Sequence, residues 1–494
     1  MNEASPIPLG ENAAETQPLP QTPPPRAPRD MPETLRGDLT QGPILRTLLM
    51  FSIPMLISSV LQTLNGSINA IWVGRLLGES ALAATANANI IMFMLFALVI
   101  GFGTATTVRV GQFFGSRDFD TARQNFGTGV GFCIVLGIAT AVVGWLFAAD
   151  ILRLLGTPAA SAAMAHAYLQ VVFITIPFGV VSMMVSMGMR GAGDSKTPLY
   201  AMILTAAVDV VLNPLLIMGL GPVPALGIAG SAMATAFANI AGLGYQLWRI
   251  YSQDLPLRLR GAEFRYLIPG GEALRYVVTK GIPMGAQMLL ASSAGLVMIG
   301  LVNREGLNAA AAYGASLQLW NYLQMPAFAV SSAVSAMVAQ AIGANKHKRV
   351  GDVTRVGLYA TVLMSLVLAA LIVLADRPLL ALFLGPESPA MPIAQHIQLV
   401  CTWSFVLMCV SMILSGTMRA YGVVVVPMVI MFVALYPGRL GFYALAYPYI
   451  GGEAVWWAYP FGSAISVLLT VPYYMRGRWR RGQAAPPRQG APAA

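Results

Sequence analysis

Twelve apolar runs, each nearly free of charge, alternate with short polar segments from residue 46 to residue 474. They lie near 46–70, 86–109, 124–147, 161–187, 197–219, 227–249, 276–301, 310–338, 354–375, 392–418, 427–450 and 454–474. About 20 apolar residues in a helix cross the hydrocarbon of a bilayer, and the helix is obligatory because lipid cannot satisfy an open backbone. The pattern predicts an all-α integral membrane protein of twelve transmembrane helices. The flanking segments read differently: 1–42 as a disordered Pro-rich tail, 251–275 as a linker, and 476–494 as a basic, flexible tail.

The pattern is written twice, with the second copy displaced by 228 or 229 residues. Pro54 and Pro198 answer Pro283 and Pro427, and Arg190-Gly191-Ala192-Gly193 answers Arg419-Ala420-Tyr421-Gly422. Ala81, Ala83 and Ala84 match Ala309, Ala311 and Ala312, while Gln112 and Gly115 match Gln340 and Gly343. Each copy holds six spans, an even number, so both cross the membrane in the same direction and the repeats are parallel. Two pseudo-symmetric six-helix lobes follow, 43–250 and 276–475. Bundles of this kind work where they meet, by rocking around a shared site, which makes transport the leading reading.

Composition supports the bilayer: 56% of the 494 residues are hydrophobic and 10% charged. Of the 30 Lys and Arg residues, 25 fall in the tails, the loops after even-numbered spans or the span ends beside them; Arg75, Arg153, Arg304 and Arg377 lie opposite, and Arg439 lies deep within a span. Basic loops stay in the cytoplasm, so both termini are expected there. The net charge of +10 is thereby a topology signal and not a nucleic-acid footprint. The cluster Arg476, Arg478, Arg480 and Arg481 reads as a stop-transfer signal, with anionic membrane lipid as the alternative partner.

Familiar chemical motifs are absent or false. Gly188, Gly193 and Lys196-Thr197 imitate a phosphate loop, but Asp194 stands where the loop needs lysine. Asn65-Gly66-Ser67 is a glycosylation sequon inside a span. Cys133, Cys401 and Cys409 read as packing residues, and His166, His347 and His396 are scattered. No metal, cofactor or catalytic grouping is predicted, and the chain is not expected to be an enzyme.

Polar groups inside the spans are therefore the candidates. Asp209 follows Pro198 by eleven residues, a rise of roughly 16 Å that places it near the bilayer middle. Asn213 shares its face, and Pro214 removes the usual partner of the Val210 carbonyl. Burial favours a neutral acid while amide hydrogen bonds favour the carboxylate, a balance that suits a proton carrier; a structural hydrogen bond is the alternative. Gln62, Asn65 and Asn69 line one face of the first span, and Gln318, Asn321 and Gln324 line the eighth beside Trp320 and Tyr322. Arg439 is the other deep charge, next to Gly438, the repeat counterpart of Asp209. It is expected either to be held by backbone carbonyls and tyrosines such as Tyr436 and Tyr443, or to face the cavity. The candidate cavity lining is Gln62, Met183, Met187, Gln287, Gln318, Trp320, Asn321, Tyr322 and Arg439, the methionines being adaptable surfaces for varied ligands.

The chain resembles the multidrug and toxic compound extrusion family, in particular its bacterial DNA-damage-inducible F-like branch. The resemblance covers about 45–475 and rests on Val73-Gly74-Arg75 with Gly78 and Ala83-Ala84, Gln112 to Gly115 with Asp118, and Arg190 to Asp194. Gly281-Ile282-Pro283, Ala311-Ala312-Tyr313 and Gln340 to Ala344 continue it. It implies two lobes in a V around a central cavity, and export of organic, often cationic, compounds against a proton or sodium gradient. The chain departs from the family pattern in having Asn69 where many members carry Asp, Ala291 where some carry Glu, and Asp209 ahead of Asn213. One coupling carboxylate in the first lobe is expected.

These observations converge on a monomeric antiporter of the bacterial inner membrane that exchanges small organic substrates for protons, with Asp209, Asn213, Asn69 and Asn65 as the coupling group. Sodium is the alternative ion. A flippase for a lipid-linked precursor would need a more basic cavity, and a passive channel would need a charged ring or pore loop.

Overall fold

The computed structural model describes residues 37–154, 159–219 and 224–481. The first repeat is α1 (Ile44–Leu77), α2 (Glu79–Gly115), α3 (Phe119–Leu154), α4 (Ala159–Gly191), α5 (Lys196–Met218) and α6 (Gly227–Ser252). The second is α7 (Gly271–Arg304), α8 (Leu307–Gly343), α9 (His347–Leu374), the short α10 (Asp376–Leu384), α11 (Met391–Ala420), α12 (Val425–Val433), α13 (Gly441–Ile450) and α14 (Glu453–Met475). A π-helical turn, Ala434–Leu440, joins α12 to α13 within one span. Among the described residues twelve segments are long and apolar enough to cross a membrane, as the sequence pattern requires.

The duplication is visible in local geometry. α2 and α8 begin after Gly78 (φ 86°) and Gly306 (φ 105°), glycines 228 residues apart in backbone conformations that a side chain resists. Within the first lobe, Leu169, Phe173, Met184 and Met189 of α4 pack against Val99 and Phe102 of α2 and Phe126 of α3. In the second, Tyr313 and Trp320 of α8 pack against Ile397 and Phe405 of α11 and Trp456 and Tyr459 of α14. A third cluster joins the lobes: Leu48, Phe51 and Met55 of α1 meet Val334, Met337 and Ala341 of α8.

Among the described residues the lobes meet along the half of α2 that ends at Gly115, the first half of α7 and the last part of α8. Small residues let the backbones approach closely there. A Cβ at Gly101 would lie 2.3 Å from the Gly281 carbonyl oxygen, one at Gly115 2.0 Å from that of Gln340, and one at Gly343 1.8 Å from that of Gln112. Gln112 Nε2 donates to the Ala420 carbonyl at 2.8 Å, and Gln340 Nε2 donates to the Gly191 carbonyl at 3.0 Å. Gln112 and Gln340 are repeat counterparts, as are Gly191 and Ala420, so each lobe grips the other through the same bond. Arg109 adds an ion pair to Glu272 at 3.2 Å.

Residues 37–42 belong to this joint and not to a disordered tail. Gln340 Oε1 accepts from Leu39 N at 2.9 Å, and its Nε2 also donates to the Gly37 carbonyl at 3.2 Å. Lys346 and Arg349 donate to the carbonyls of Thr40 (3.0 Å) and Gln41 (2.8 Å), while Gly37 lies against Gly193 of the first lobe. The linker is likewise structured: a 3-10 helix, Gly261–Leu267, packs on α3, where a Cβ at Gly131 would lie 1.8 Å from the Leu267 carbonyl oxygen. Trp479 is buried against Tyr421 and Tyr474. The remainder of the expected tails, 1–36 and 482–494, lies outside the described residues.

Toward the other end the lobes part. The half of α8 from Ala333 to Ile342 is buried all round, whereas Ala311, Gly314, Gln318 and Asn321 are exposed on one stripe of the other half. Gln62, Gly66 and Ala70 form a matching exposed stripe on α1. These faces are polar or small, unlike the Leu, Ile and Met residues that α1 turns to lipid, so they line a cleft open at the end away from the joint.

The joint supplies a test of whether the lobes move. A Cβ at Gly111 would lie 3.1 Å from Ala339 Cβ, a few tenths of an ångström short of disulfide spacing. Cysteines at 111 and 339 are expected to cross-link under mild oxidant and to stop transport, with recovery on reduction. Unchanged turnover in the fully cross-linked protein would show that the joint does not open in the cycle.

Candidate functional site

Asp209 lies on α5 in the middle of the first lobe, 2% exposed. Its Oδ2 accepts from Asn65 Nδ2 of α1 at 2.8 Å, and its Oδ1 from Thr235 Oγ1 of α6 at 3.0 Å and from Asn213 Nδ2 at 3.4 Å. Asn213 Nδ2 also donates to Asn69 Oδ1 at 3.2 Å, which accepts in addition from Ser231 Oγ at 2.8 Å. The four residues of the predicted coupling group are thus one network, joined by two hydroxyls of α6 that sequence reasoning did not single out. Their signal was the i, i+4 spacing of Ser231 and Thr235 in a span otherwise dominated by Ala and Gly.

The network has more acceptors than donors. Asn65 Oδ1 and Asn213 Oδ1 are enclosed and accept no hydrogen bond. Burying a carboxylate costs several kcal/mol, which three hydrogen bonds to a charged acceptor, at about 1.5–3 kcal/mol each, offset. Protonation would turn one carboxylate oxygen from acceptor into donor, and two unused oxygens stand in the same network. The same oxygens are hard ligands of the kind that hold a small cation.

The second lobe holds the reverse arrangement. The π turn around Pro437 carries Arg439 inward, 9% exposed, over the ring of Tyr459 at 4.1 Å. Gly462 makes room for its stem, since a Cβ there would lie 3.1 Å from Arg439 Cβ. Among the described residues no carboxylate or carbonyl accepts from the guanidinium, and its Nε is enclosed without a hydrogen-bond partner. Tyr436 bonds instead to Ser293 at 2.6 Å, so the expected cage of carbonyls with Tyr436 and Tyr443 is replaced by one aromatic face. A cation–π contact contributes up to about 2 kcal/mol, short of the several kcal/mol that burying an ion costs.

The remaining cavity candidates divide. Gln62, Gln318, Asn321 and Tyr322 are exposed on the cleft-lining halves of α1 and α8. Trp320 points the other way, 1% exposed, donating to Gln398 Oε1 at 3.1 Å and Thr402 Oγ1 at 3.2 Å. Helical geometry explains the split: Trp320 lies about 200° around α8 from Gln318, whereas Asn321 and Tyr322 return to its side. Gln287 is buried and donates to the Val424 carbonyl at 3.4 Å. Met183 packs into the core of the first lobe, and Met187 packs against Gly103 of α2. Trp320 and Gln287 are thus buried bonding residues and not cleft lining, whereas Met183 and Met187 are partly exposed.

Two helical lobes about a cleft, with Asp209 buried within the first and Arg439 within the second, define a multi-pass membrane transporter. The MatE family profile matches the chain twice, at residues 54–215 and 283–442, one match per lobe, and the chain belongs to the MatE family. It is 35% identical over 442 residues to the probable multidrug resistance protein YoeA of Bacillus subtilis, covering 89% of this chain and 95% of that protein. It is 29% identical to the probable multidrug resistance protein YpnP of the same organism, covering 90% and 97%. A solved outward-facing multidrug resistance MATE transporter superposes with a TM-score of 0.82 at 20% identity, covering 91% of this chain and 98% of that one. The chain is a transporter and not an enzyme.

Proposed function

We propose that this protein exports small organic compounds, amphipathic and bearing a positive charge, from the bacterial cytoplasm in exchange for protons. The observation that carries the reading is Asp209: a carboxylate sealed in the first lobe, bonded to α1, α5 and α6, with two unused oxygens beside it. α1 carries Asn65 and Asn69 in this network and, toward its other end, Leu48, Phe51 and Met55 against α8. A proton arriving at Asp209 shifts donors and acceptors along α1 and α5, and α1 passes the change to the joint between the lobes. The exported compound occupies the cleft between the exposed stripes of α1 and α8.

The bias of basic residues, 25 against 4, supports a cytoplasmic joint, cytoplasmic termini and a cleft that opens outward. Lys348 and Glu387 are exposed at the two opposite ends. A single cysteine at 387 is expected to react with an impermeant maleimide in intact cells and one at 348 only after lysis; the opposite pattern would invert the orientation. The protein acts as a monomer in the inner membrane, with bilayer lipids around it.

Sodium is the second reading, favoured by the hard oxygens of Asp209, Asn65 and Asn213. Purified protein in proteoliposomes, loaded with ethidium and given a pH or a sodium gradient, separates the two. Export driven by the pH gradient alone is expected. Export that follows only the sodium gradient would transfer the role to that ion, and accumulation without either would remove the antiport reading.

A further inference from the structure

We infer that the second lobe contains a binding site for the anionic group of a transported amphiphile, centred on Arg439, so that the preferred substrates are zwitterions. This rests on the reading of the chain as a transporter of organic solutes and narrows the substrate class. The evidence is a surplus of donors along one run of contacts, from Arg439 through Tyr459 and Trp320 to Gln398. Arg439 lies over Tyr459 with its Nε unpartnered. The hydroxyls of Tyr459 and Tyr313 bond to each other, which uses one O–H and leaves the other free. Trp320 lies 5.3 Å from the Tyr459 ring, and its partner Gln398 has both acceptor contacts filled while Nε2 is enclosed with no partner. A guanidinium, a phenol and an amide therefore all lack acceptors. Among the described residues no acid forms an ion pair with Arg439, and Glu453 at the start of α14 bonds instead to His396 at 2.8 Å.

The position has meaning in the repeat. Gly438, beside Arg439, is the counterpart of Asp209 under the 229-residue offset. The first lobe offers surplus acceptors at this place and the second offers surplus donors. A buried guanidinium without a carboxylate is stabilised by an anion that makes bidentate hydrogen bonds, as a carboxylate or phosphate does. An acidic group on a positively charged substrate in the cleft suits Arg439.

The test uses rhodamine 110, which carries a free carboxylate, and its methyl ester rhodamine 123, which does not. Fluorescence anisotropy with the full-length protein in phosphatidylcholine nanodiscs gives both affinities. The acid is expected to bind about tenfold more tightly than the ester, the scale of one charge-assisted contact. Arg439→Gln is expected to bring the two affinities together, and Arg439→Lys to keep part of the difference. Equal affinities in the unmodified protein, which needs no variant to fold, would overturn the inference, as would equal weakening of both probes by Arg439→Gln. Phosphatidylglycerol in the disc should leave the preference intact; its loss would assign the site to lipid headgroups and overturn the substrate role. Carboxylate preference without gradient-driven export would retain this site and reject the antiport reading, whereas export of both dyes without preference would do the reverse.

Discussion

Asp209→Asn is expected to abolish export driven by a pH gradient while leaving substrate binding measurable. The variant is isosteric, and its amide oxygen still accepts from Asn65 or Thr235. Its NH2 group reaches toward the unused oxygens of Asn65 and Asn213, so the side chain imitates the protonated acid permanently. The lobe should fold, but a group that cannot release a proton cannot alternate. The expected loss in gradient-driven ethidium export is at least about 100-fold, the upper range of coupling between sites. Proteoliposome efflux at matched protein density decides it, with ethidium binding measured on the same preparation. A variant that concentrates ethidium at the unmodified rate would take Asp209 out of the mechanism.

Gly343→Val should be nearly as damaging, by a different route. Its Cβ would lie 1.8 Å from the Gln112 carbonyl oxygen and 2.7 Å from the carbonyl carbon. The two backbones would have to retreat by more than an ångström, pulling apart the bonds from Gln112 to Ala420 and from Gln340 to Gly191. Overpacking costs about 1–3 kcal/mol, and each orphaned buried group costs about 1–3 kcal/mol more. A sum near 5 kcal/mol inverts a two-state equilibrium. Each lobe keeps its own core, so expression should survive while the closed joint does not form. The cysteine pair at 111 and 339 should then fail to cross-link, and export should fall about 100-fold or more. Gly351→Val is the control, since nothing lies within 4 Å of a Cβ there. Normal cross-linking and export in Gly343→Val would show that the close approach is not needed.

Much of this architecture was legible because lipid is an unforgiving solvent. A carboxylate in hydrocarbon is rare enough that Asp209 could be chosen from one sequence, and amides at helical spacing pointed to Asn65 and Asn69. Hydroxyls are common in spans and bond to their own helix, which is why Ser231 and Thr235 passed unnoticed. The segment 37–42 was read as a tail because it touches the lobes largely through backbone atoms: Gln340 meets the Gly37 carbonyl and the Leu39 amide, contacts that no side-chain pattern encodes. Trp320 was placed in the cavity by adjacency to Gln318 and Asn321, although one step along a helix turns a side chain by about 100°. The π turn that aims Arg439 has no dependable sequence mark beyond Pro437.

The two glutamine bonds at the joint are copies of one another, and neither involves a group that binds cargo or titrates. They are buried and related by the same pseudo-rotation that relates the lobes, so in the proposed cycle releasing one is expected to strain the other. The time spent shut at that end would then be an intrinsic clock, set by the lobes and not by what they carry. Chemically unrelated cargoes that saturate the cleft would share a single ceiling on turnover, and selection for breadth could proceed in the cleft without resetting the pace of the machine.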